Sequence, residues 1–253
     1  METRRLTVEL GLPDGSVHVD MDVPVGEVTM ERLLPALRAT ADALVAFSAA
    51  RTERAGKRVS CALGCGACCR QLVPLAPAEA RRLSRLVDEL PGPRRAAVRE
   101  RCVHAVRRAG EAGLLPLLEG RVPWGEGRAV EVGLAWFRLG IPCPFLEDEA
   151  CSIYEERPIA CREYLVTSPP AACAAPTPES VDAVPLPTRV WAAAAREEQA
   201  TSDGEPARCV PLVVAPRWVA AHADAEPVRP GPEMLRSVYA RFARGRPGEG
   251  GSA

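Results

Sequence analysis

The chain has 253 residues, of which 47% are hydrophobic, 26% charged and 4% aromatic, and its formal net charge is −1. This composition suits a globular protein with a buried core, and the small net charge gives no strong signal for binding nucleic acid or an anionic membrane. No secretion signal or transmembrane-length apolar run is visible, since Arg38 and Asp42 interrupt the apolar stretch from Leu33 to Phe47. We therefore expect a cytoplasmic protein without a membrane partner.

The N-terminal region predicts a β-hairpin followed by a long helix. Residues 6–10 and 17–23 alternate apolar and polar side chains, and the turn-forming pair Asp14-Gly15 lies between them. From Met30 to about Arg54 the apolar residues recur at helical spacing, with Thr29 as the predicted N-cap.

Helices also dominate the middle of the chain. Residues 77–90 and 93–109 predict two helices, each with a proline in its first turn, and residues 129–139 predict a short buried one. The second carries a stripe of arginines that we interpret as a solvated face.

The rest of the chain predicts shorter elements. Residues 141–154 predict a tight hairpin or paired turns, residues 156–164 a short helix, and residues 168–187 a loop. Beyond these we expect a helix over 188–199, a strand over 210–214, a helix over 233–244 and a disordered tail from 246.

The elements together indicate an α+β protein that is mainly α. We expect a small cysteine-rich, metal-centred helical domain preceded by the β-hairpin. The predicted division is residues 1–25 for the hairpin, 26–215 for the cysteine-cluster domain, and 216–253 for a C-terminal helix and tail.

Cysteine is the residue type that carries the chemistry. Eight of the ten cysteines form two groups of four. The first group is Cys61, Cys65, Cys68 and Cys69, and the second is Cys143, Cys151, Cys161 and Cys173. Cys102 and Cys209 stand alone, and Cys102 is interpreted as a small core residue. In a reducing compartment, close cysteines are more typical of metal ligands or reactive thiols than of disulfides.

Four thiolates suit either Zn²⁺ or a [4Fe-4S] cluster. Gly64 and Gly66 let the backbone of the first group turn sharply around a centre. The second group is spread over 31 residues, an irregularity that slightly favours an iron–sulfur cluster without excluding zinc. The adjacent pair Cys68-Cys69 is informative because neighbouring side chains diverge and rarely bind the same ion. We therefore expect the two groups to meet around shared or adjacent centres.

Three arginines are candidates for stabilising a thiolate centre, whose net charge is negative. Arg70 follows Cys69, Arg162 follows Cys161, and Arg157 lies four residues before Cys161. They are predicted to donate hydrogen bonds near the cofactor, and the alternative is surface ion pairing with Glu155, Glu156 or Glu163.

The spacing Cys61-x3-Cys65-x2-Cys68 also matches that of radical S-adenosylmethionine enzymes, which leave one iron of their cluster open. Those enzymes usually have an aromatic residue before the third cysteine, where this chain has Ala67. Their alternating strand–helix pattern is missing here as well.

The ordered combination of motifs resembles the YkgJ-like CxxCxxCC family. The residues that carry the resemblance are Gly64 to Arg70, Cys143-Pro-Phe-Leu146, Cys151-Ser-Ile-Tyr154 and Arg157-Pro-Ile-Ala-Cys-Arg162. The resemblance implies a zinc- or iron-chelating domain that uses all eight clustered cysteines. Three residues separate Cys61 from Cys65, where the family name implies two. The family is also similar to the flagellin lysine N-methylase.

Three functional hypotheses follow. The first is a metal-binding protein whose centre organises the domain. The second is a metal-dependent enzyme, methylase-like or redox, and the third is a redox-sensing thiol switch. The sequence leaves open whether the protein is an enzyme and which metal it binds.

Overall fold

The computed structural model describes residues 2–120, 128–177, 179–200, 209–223 and 226–242. The fold is mainly α with small antiparallel strand pairs, which confirms the predicted class. The strands are β1 Thr3–Leu12, β2 Gly15–Pro24, β3 Glu27–Val28, β4 Pro74–Leu75, β5 Leu146–Glu147, β6 Ala150–Cys151, β7 Val210–Pro211 and β8 Arg229–Pro230. The helices are α1 Leu34–Arg54, α2 Pro77–Glu89, α3 Gly92–Glu111, α4 Leu115–Leu118, α5 Arg128–Phe137, α6 Ile159–Arg162, α7 Pro170–Ala174, α8 Val190–Ala200, α9 Ala215–Ala221 and α10 Gly231–Ala240.

The N-terminal hairpin forms as predicted. β1 pairs with β2 in an unbroken register from Thr3 opposite Pro24 to Leu12 opposite Gly15. On β2 the alternate residues Val17, Val19 and Met21 are buried. Because successive strand residues point to opposite faces, this alternation gives the hairpin one apolar face, which packs against α1.

Helix α1 follows a 3-10 turn at Met30–Leu33, so the predicted long helix is confirmed. Thr29 occupies the N-cap position of that turn, but its side chain makes no capping hydrogen bond. Within the 25 residues Met30–Arg54, an 18-residue window has a mean hydropathy of 1.3, so this helix is long and apolar enough to cross a membrane by length and composition. This corrects the expectation that no segment reaches that length. The signal is weak, because 44% of the window is buried in the protein.

Two hydrophobic cores organise the molecule. The first contains the hairpin, α1, α8 and α10. The second contains α2, α3, Trp136 of α5 and the residues around β7. The second cysteine group spans both, since Cys143 and Cys151 pack against the second core while Ile159, two residues before Cys161, belongs to the first.

Several details differ from the sequence predictions, among them the predicted helix over 156–164, which is a 3-10 turn at Tyr154–Glu156 followed by the shorter α6. A one-turn helix, α7, interrupts the predicted loop 168–187, and Val166 forms an isolated bridge with Ala183. The predicted strand 210–214 ends at Pro211, which cannot donate a ladder hydrogen bond, and continues as a 3-10 turn and the unpredicted helix α9. Helix α10 begins two residues earlier than predicted, whereas positions 243–253, including the predicted tail, lie outside the described residues.

Candidate metal centre

The first cysteine group lies in a series of tight backbone turns. The amide of Cys65 donates to the carbonyl of Ala62 at 3.1 Å, and that of Cys69 donates to Gly66 at 2.9 Å. Gly64 has φ +84°, a left-handed conformation that favours glycine. These turns leave Cys61 and Cys65 exposed and partly bury Cys68 and Cys69.

The second group begins with a hairpin that docks on the first. β5 and β6 are joined by Asp148 and Glu149, whose φ angles of 50° and 57° indicate a two-residue turn of the I′ kind. A Cβ atom at Gly66 would lie 2.5 Å from the carbonyl oxygen of Glu149, so only glycine permits this approach. The guanidinium of Arg70 donates to both carboxylate oxygens of Glu149, at 2.7 and 3.1 Å.

A backbone hydrogen bond joins the two groups directly. The amide of Cys143 donates to the carbonyl of Cys69 at 2.7 Å. The helices α2, α3 and α5 therefore form an excursion that returns the chain to its starting point, as predicted. Whether the two groups share a metal centre stays a prediction.

Buried carboxylates hold the helix that carries Cys161. The side chain of Glu79, 2% exposed, accepts hydrogen bonds from the amides of Ala76 at 3.2 Å and Ile159 at 2.7 Å. It thereby joins the start of α2 to the start of α6. At the other end of α6, the buried Glu163 accepts from the amide of Val190, the first residue of α8.

Ion pairs brace the same segment from outside. The carboxylate of Glu156 accepts from Arg38 of α1 at 2.6 Å and from Arg82 of α2 at 3.0 Å. Because both ends of α6 and the residues before it are tied to three other helices, the position of Cys161 is set by the scaffold.

A separate set of hydrogen bonds places Cys173. The amide and hydroxyl of Ser60 donate to the carbonyls of Val166 and Thr167, both at 2.9 Å. The hydroxyl of Tyr164 donates to the sulfur of Cys173 and accepts from Nε2 of Gln71 at 2.9 Å. Cys173, which is buried on α7, consequently faces the first cysteine group.

Burial raises the pKa values of most of these thiols, and neighbouring thiols raise them further. A hydrogen bond to Cys69, followed by burial, raises the pKa of Cys68. Burial raises the pKa of Cys143 to about 12 and raises that of Cys161 well above its ordinary value. The pKa values of Cys61, Cys151 and Cys173 are also raised, chiefly by burial. Without a bound cation these thiols stay protonated at neutral pH, so metal binding must release protons.

Of the three predicted arginines, Arg157 acts most broadly on the cysteines. Its charge lowers the pKa values of Cys61, Cys68 and Cys151, partly offsetting burial. Its guanidinium carbon lies 4.3 Å from the ring centroid of Tyr154, and its buried Nε has no hydrogen-bond partner among the described residues.

Arg70 and Arg162 make ion pairs, but not with the glutamates Glu155, Glu156 or Glu163 of the alternative interpretation. Arg70 pairs with Glu149, as above, and Arg162 pairs with Asp42 at 2.8 Å. Arg162 also donates to the carbonyls of Arg157 and Glu155. Both arginines still interact electrostatically with a cysteine. Arg70 interacts with Cys69, and Arg162 lowers the pKa of Cys151.

The cysteines have the right chemistry for a thiolate metal centre, and the fold brings the two groups together. They do not, however, form a complete set of ligands around one point. Thiolates of the two groups lie within electrostatic range of one another, and four thiolates are the donor set of structural zinc and iron–sulfur sites. Within the described ranges, no three Cys, His, Asp or Glu side chains are positioned to hold an ion as they stand. Ligation therefore requires side-chain movement, for which the exposed turn around Gly64 leaves room.

Sequence reasoning missed several residues that shape the site. Arg94 and Arg101 of the arginine stripe donate to the carbonyls of Ser152 at 2.8 Å and Pro144 at 2.9 Å, so part of the stripe contacts the second cysteine group. Cys102 is buried as predicted, but it also lies within electrostatic range of Cys143. Glu79 stands three residues after Ala76, a spacing that signals an N-terminal cap, but no local signal shows its second partner in α6.

The fold and the site define a cysteine-rich metal-binding domain within a mainly helical protein. Residues 60–182 match the model of the CxxCxxCC family, whose description is "Putative zinc- or iron-chelating domain". This segment contains all eight clustered cysteines. No curated protein and no solved structure matches the chain.

Proposed function

We propose that the protein uses its clustered cysteines to hold an iron–sulfur cluster or Zn²⁺ as an organising centre of the domain. The observation that carries the proposal is the hydrogen bond from the Cys143 amide to the Cys69 carbonyl, which closes the long excursion between the two groups. Hydrophobic packing alone gives little stabilisation for bringing partly exposed thiols together. Ligation of a metal by the thiolates would provide that stabilisation.

The surroundings support a negatively charged centre. Each four-thiolate centre carries a net charge near −2, and Arg157 supplies the opposing positive charge from within the site. Its unpaired buried Nε is a donor without an acceptor among the described residues, and a metal-bound sulfur would accept that hydrogen bond. When bound, the metal would supply cross-linking and, in the iron–sulfur case, electron transfer.

The free thiols agree with a reducing location. All ten cysteines are unpaired, although several lie close together. We infer that the protein works in the cytoplasm, where such thiols remain available as ligands.

Metal analysis of anaerobically purified protein tests the proposal. We expect bound metal, with broad visible absorption if it is an iron–sulfur cluster and a colourless protein if it is zinc. The variants Cys65→Ser, Cys68→Ser and Cys161→Ser should each lose metal, whereas Cys209→Ser serves as the matched control and should keep it. Metal content unchanged in all three cluster variants would reject the proposal. Catalytic turnover by the loaded protein would instead favour the enzyme hypothesis.

A further inference from the structure

We propose that two copies of the chain pair through the free edge of β1 and form a four-stranded antiparallel sheet across a two-fold axis. The interaction surface is the outer edge of β1, and the partner is the same edge of a second copy. This interface lies in the N-terminal hairpin and is independent of metal binding by the cysteines.

Strand β1 is an edge strand without the features that normally protect an edge. Among the described residues its only strand neighbour is β2, so every second residue of β1 directs its backbone N–H and C=O away from any ladder. The strand runs ten residues in unbroken register, contains no proline and has no bulge. Long, regular edges of this kind pair readily with another strand.

The apolar face of β1 is only partly covered. Leu6, Val8 and Leu10 pack against the first core but stay half-exposed, whereas the alternate residues of β2, among them Val19 and Met21, are buried. The reason is that α1 packs mainly over β2. A second hairpin beside β1 would cover these half-exposed side chains with the same apolar face of its own.

The two faces of β1 and its charges select one register for this pairing. A two-fold axis perpendicular to the sheet keeps the apolar faces of both hairpins on the same side, so exposed residues must pair with exposed ones. The register centred on Thr7 sets Arg5 opposite Glu9 of the second copy, and the symmetry repeats the pair. It also sets Leu6 opposite Val8. Any other centre that keeps the faces aligned places no opposite charges across the axis.

Each new charge pair would extend a pair that exists within the hairpin. Nη1 of Arg5 lies 3.3 Å from Oδ2 of Asp22, and Oε1 of Glu9 lies 3.8 Å from Nε2 of His18. In the four-stranded sheet, Asp22, Arg5 and Glu9 of the second copy would follow one another in a row of alternating charge. Opposite charges across a sheet stabilise the pairing and like charges destabilise it, so the exposed face of β1 favours its own copy.

The helices leave room for the four-stranded sheet. Neighbouring strands lie about 4.8 Å apart, so the two β2 strands would lie about 14 Å apart with both β1 strands between them. Each α1 packs over its own β2. Because a helix with its side chains is about 10 Å wide, the two α1 helices fit side by side.

Sedimentation equilibrium of the full chain under reducing conditions tests the pairing. We expect the unaltered protein to have about twice the 27.1 kDa mass of one chain. Arg5→Glu sets glutamates opposite one another and Glu9→Arg sets arginines opposite one another, so each should raise the dissociation constant at least about tenfold. Arg107→Glu is the matched control and should change nothing. Its side chain is 65% exposed, against 67% for Arg5, but it lies on α3 in the second core.

Mixing the two β1 variants separates a lost contact from a lost fold. In a mixed pair, the introduced glutamate at position 5 lies opposite the introduced arginine at position 9, and the native Glu9 lies opposite the native Arg5. The mixture should therefore return to within about threefold of the unaltered dissociation constant, although each variant alone is weakened. Recovery would also show that both variants are folded.

Hydrogen exchange of the unaltered chain covers the case in which a variant fails to fold. Dilution below the dissociation constant should speed the exchange of alternate amides in β1, because those amides lose their partner strand, and should leave α3 unchanged. Exchange in β1 that does not respond to dilution would reject this interface.

Three outcomes of the sedimentation measurements would overturn the proposal. The first is an unaltered chain that stays monomeric at its highest soluble concentration, which would leave the edge to a strand of a different protein. The second is a dimer that neither Arg5→Glu nor Glu9→Arg weakens, which would place the contact elsewhere. The third is a mixture that stays dissociated although both variants are folded, which would reject the register centred on Thr7.

Discussion

Single buried carboxylates hold the cysteine-bearing elements in place. Burial raises the pKa of Glu79, while the amides of Ile159 and Ala76 oppose that shift by donating to its carboxylate. The side chain thus satisfies the amide of the N-cap residue of α2 and the first amide of α6 at once, whereas an ordinary helix cap serves one helix. Removing one acceptor would leave a buried N–H without a partner.

The substitution Glu79→Gln should destabilise the protein by about 1–3 kcal/mol. An amide group keeps one acceptor oxygen but turns its NH₂ toward the other backbone donor, so one buried N–H loses its hydrogen bond. Urea denaturation measures the change in the free energy of unfolding. Glu89→Gln is the matched control because Glu89 is exposed on the same helix, and a similar loss in both variants would contradict this role.

We expect Glu198 to make the stability of the protein depend on pH. Its carboxylate accepts from the amide of Ala78 at 3.0 and 3.2 Å, and burial raises its pKa to about 8 from an ordinary value of 4.5. Between these pH values the folded state keeps a proton that the unfolded chain releases. The free energy of unfolding should therefore fall as pH rises from 4.5 to 8, by at most about 1.4 kcal/mol per pH unit from this group.

Denaturation of Glu198→Gln at pH 5, 6.5 and 8 checks this pH dependence. A glutamine does not titrate, so the variant should lose less stability over this range than the unaltered protein. Glu89→Gln should retain the full pH dependence. An unchanged slope in Glu198→Gln would assign the titration to other groups.

At the scale of elements, the docking of two turns decides how the cysteine groups meet. The β5–β6 turn places two non-glycine residues, Asp148 and Glu149, in the left-handed region. Its backbone comes so close to Gly66 that no side chain fits between them. The ion pair between Arg70 and Glu149 joins the same two turns at the protein surface. Because solvent screens it there, its contribution to stability is small.

We expect Gly66→Ala to separate these turns. The added methyl group would overlap the Glu149 carbonyl, and such overpacking typically costs about 1–3 kcal/mol. The midpoint temperature of thermal unfolding and the metal content should both decrease. Gly11→Ala is the control, because a Cβ there meets no atom within 4 Å, and equal effects of the two substitutions would argue against the docking contact.

At the scale of the whole molecule, the hairpin and the cysteine region depend on different sources of stability. The hairpin has a continuous register and buries alternate residues in the first core. The cysteine-bearing segments, residues 61–69 and 143–173, consist of turns, two-residue strands and one-turn helices, which contribute few backbone hydrogen bonds of their own. Ligation would supply the folding free energy that these short elements lack.

Metal removal should therefore loosen residues 61–69 and 143–173 more than the hairpin of β1 and β2. Hydrogen exchange of loaded and chelated protein would report the difference, with β2 as the internal reference. We expect faster exchange at Cys143 and Ile159, whose amides bond across the site, and little change in β2. Equal protection in both states would contradict a structural role for the metal.

Local patterns made much of this protein predictable. Alternation over residues 17–23 predicted the hairpin, and helical spacing predicted α1, α2 and α3, because these signals depend only on neighbouring residues. The spacing of the cysteines likewise predicted a metal-binding segment. Glu79 illustrates the limit, since its partner at Ile159 lies in a helix that no local signal connects to α2.

The sequence by itself determined the chemistry of the site, since residue identity decides which donor atoms are available. It also determined the helical class, because hydrophobic periodicity is a local property. Only the tertiary structure decided which thiols are neighbours, which arginine acts on them and which cysteines face solvent. Those relations depend on backbone contacts between distant residues, such as Cys69 with Cys143 and Ser60 with Val166. Such contacts form only after the helices pack, so no spacing along the chain specifies them.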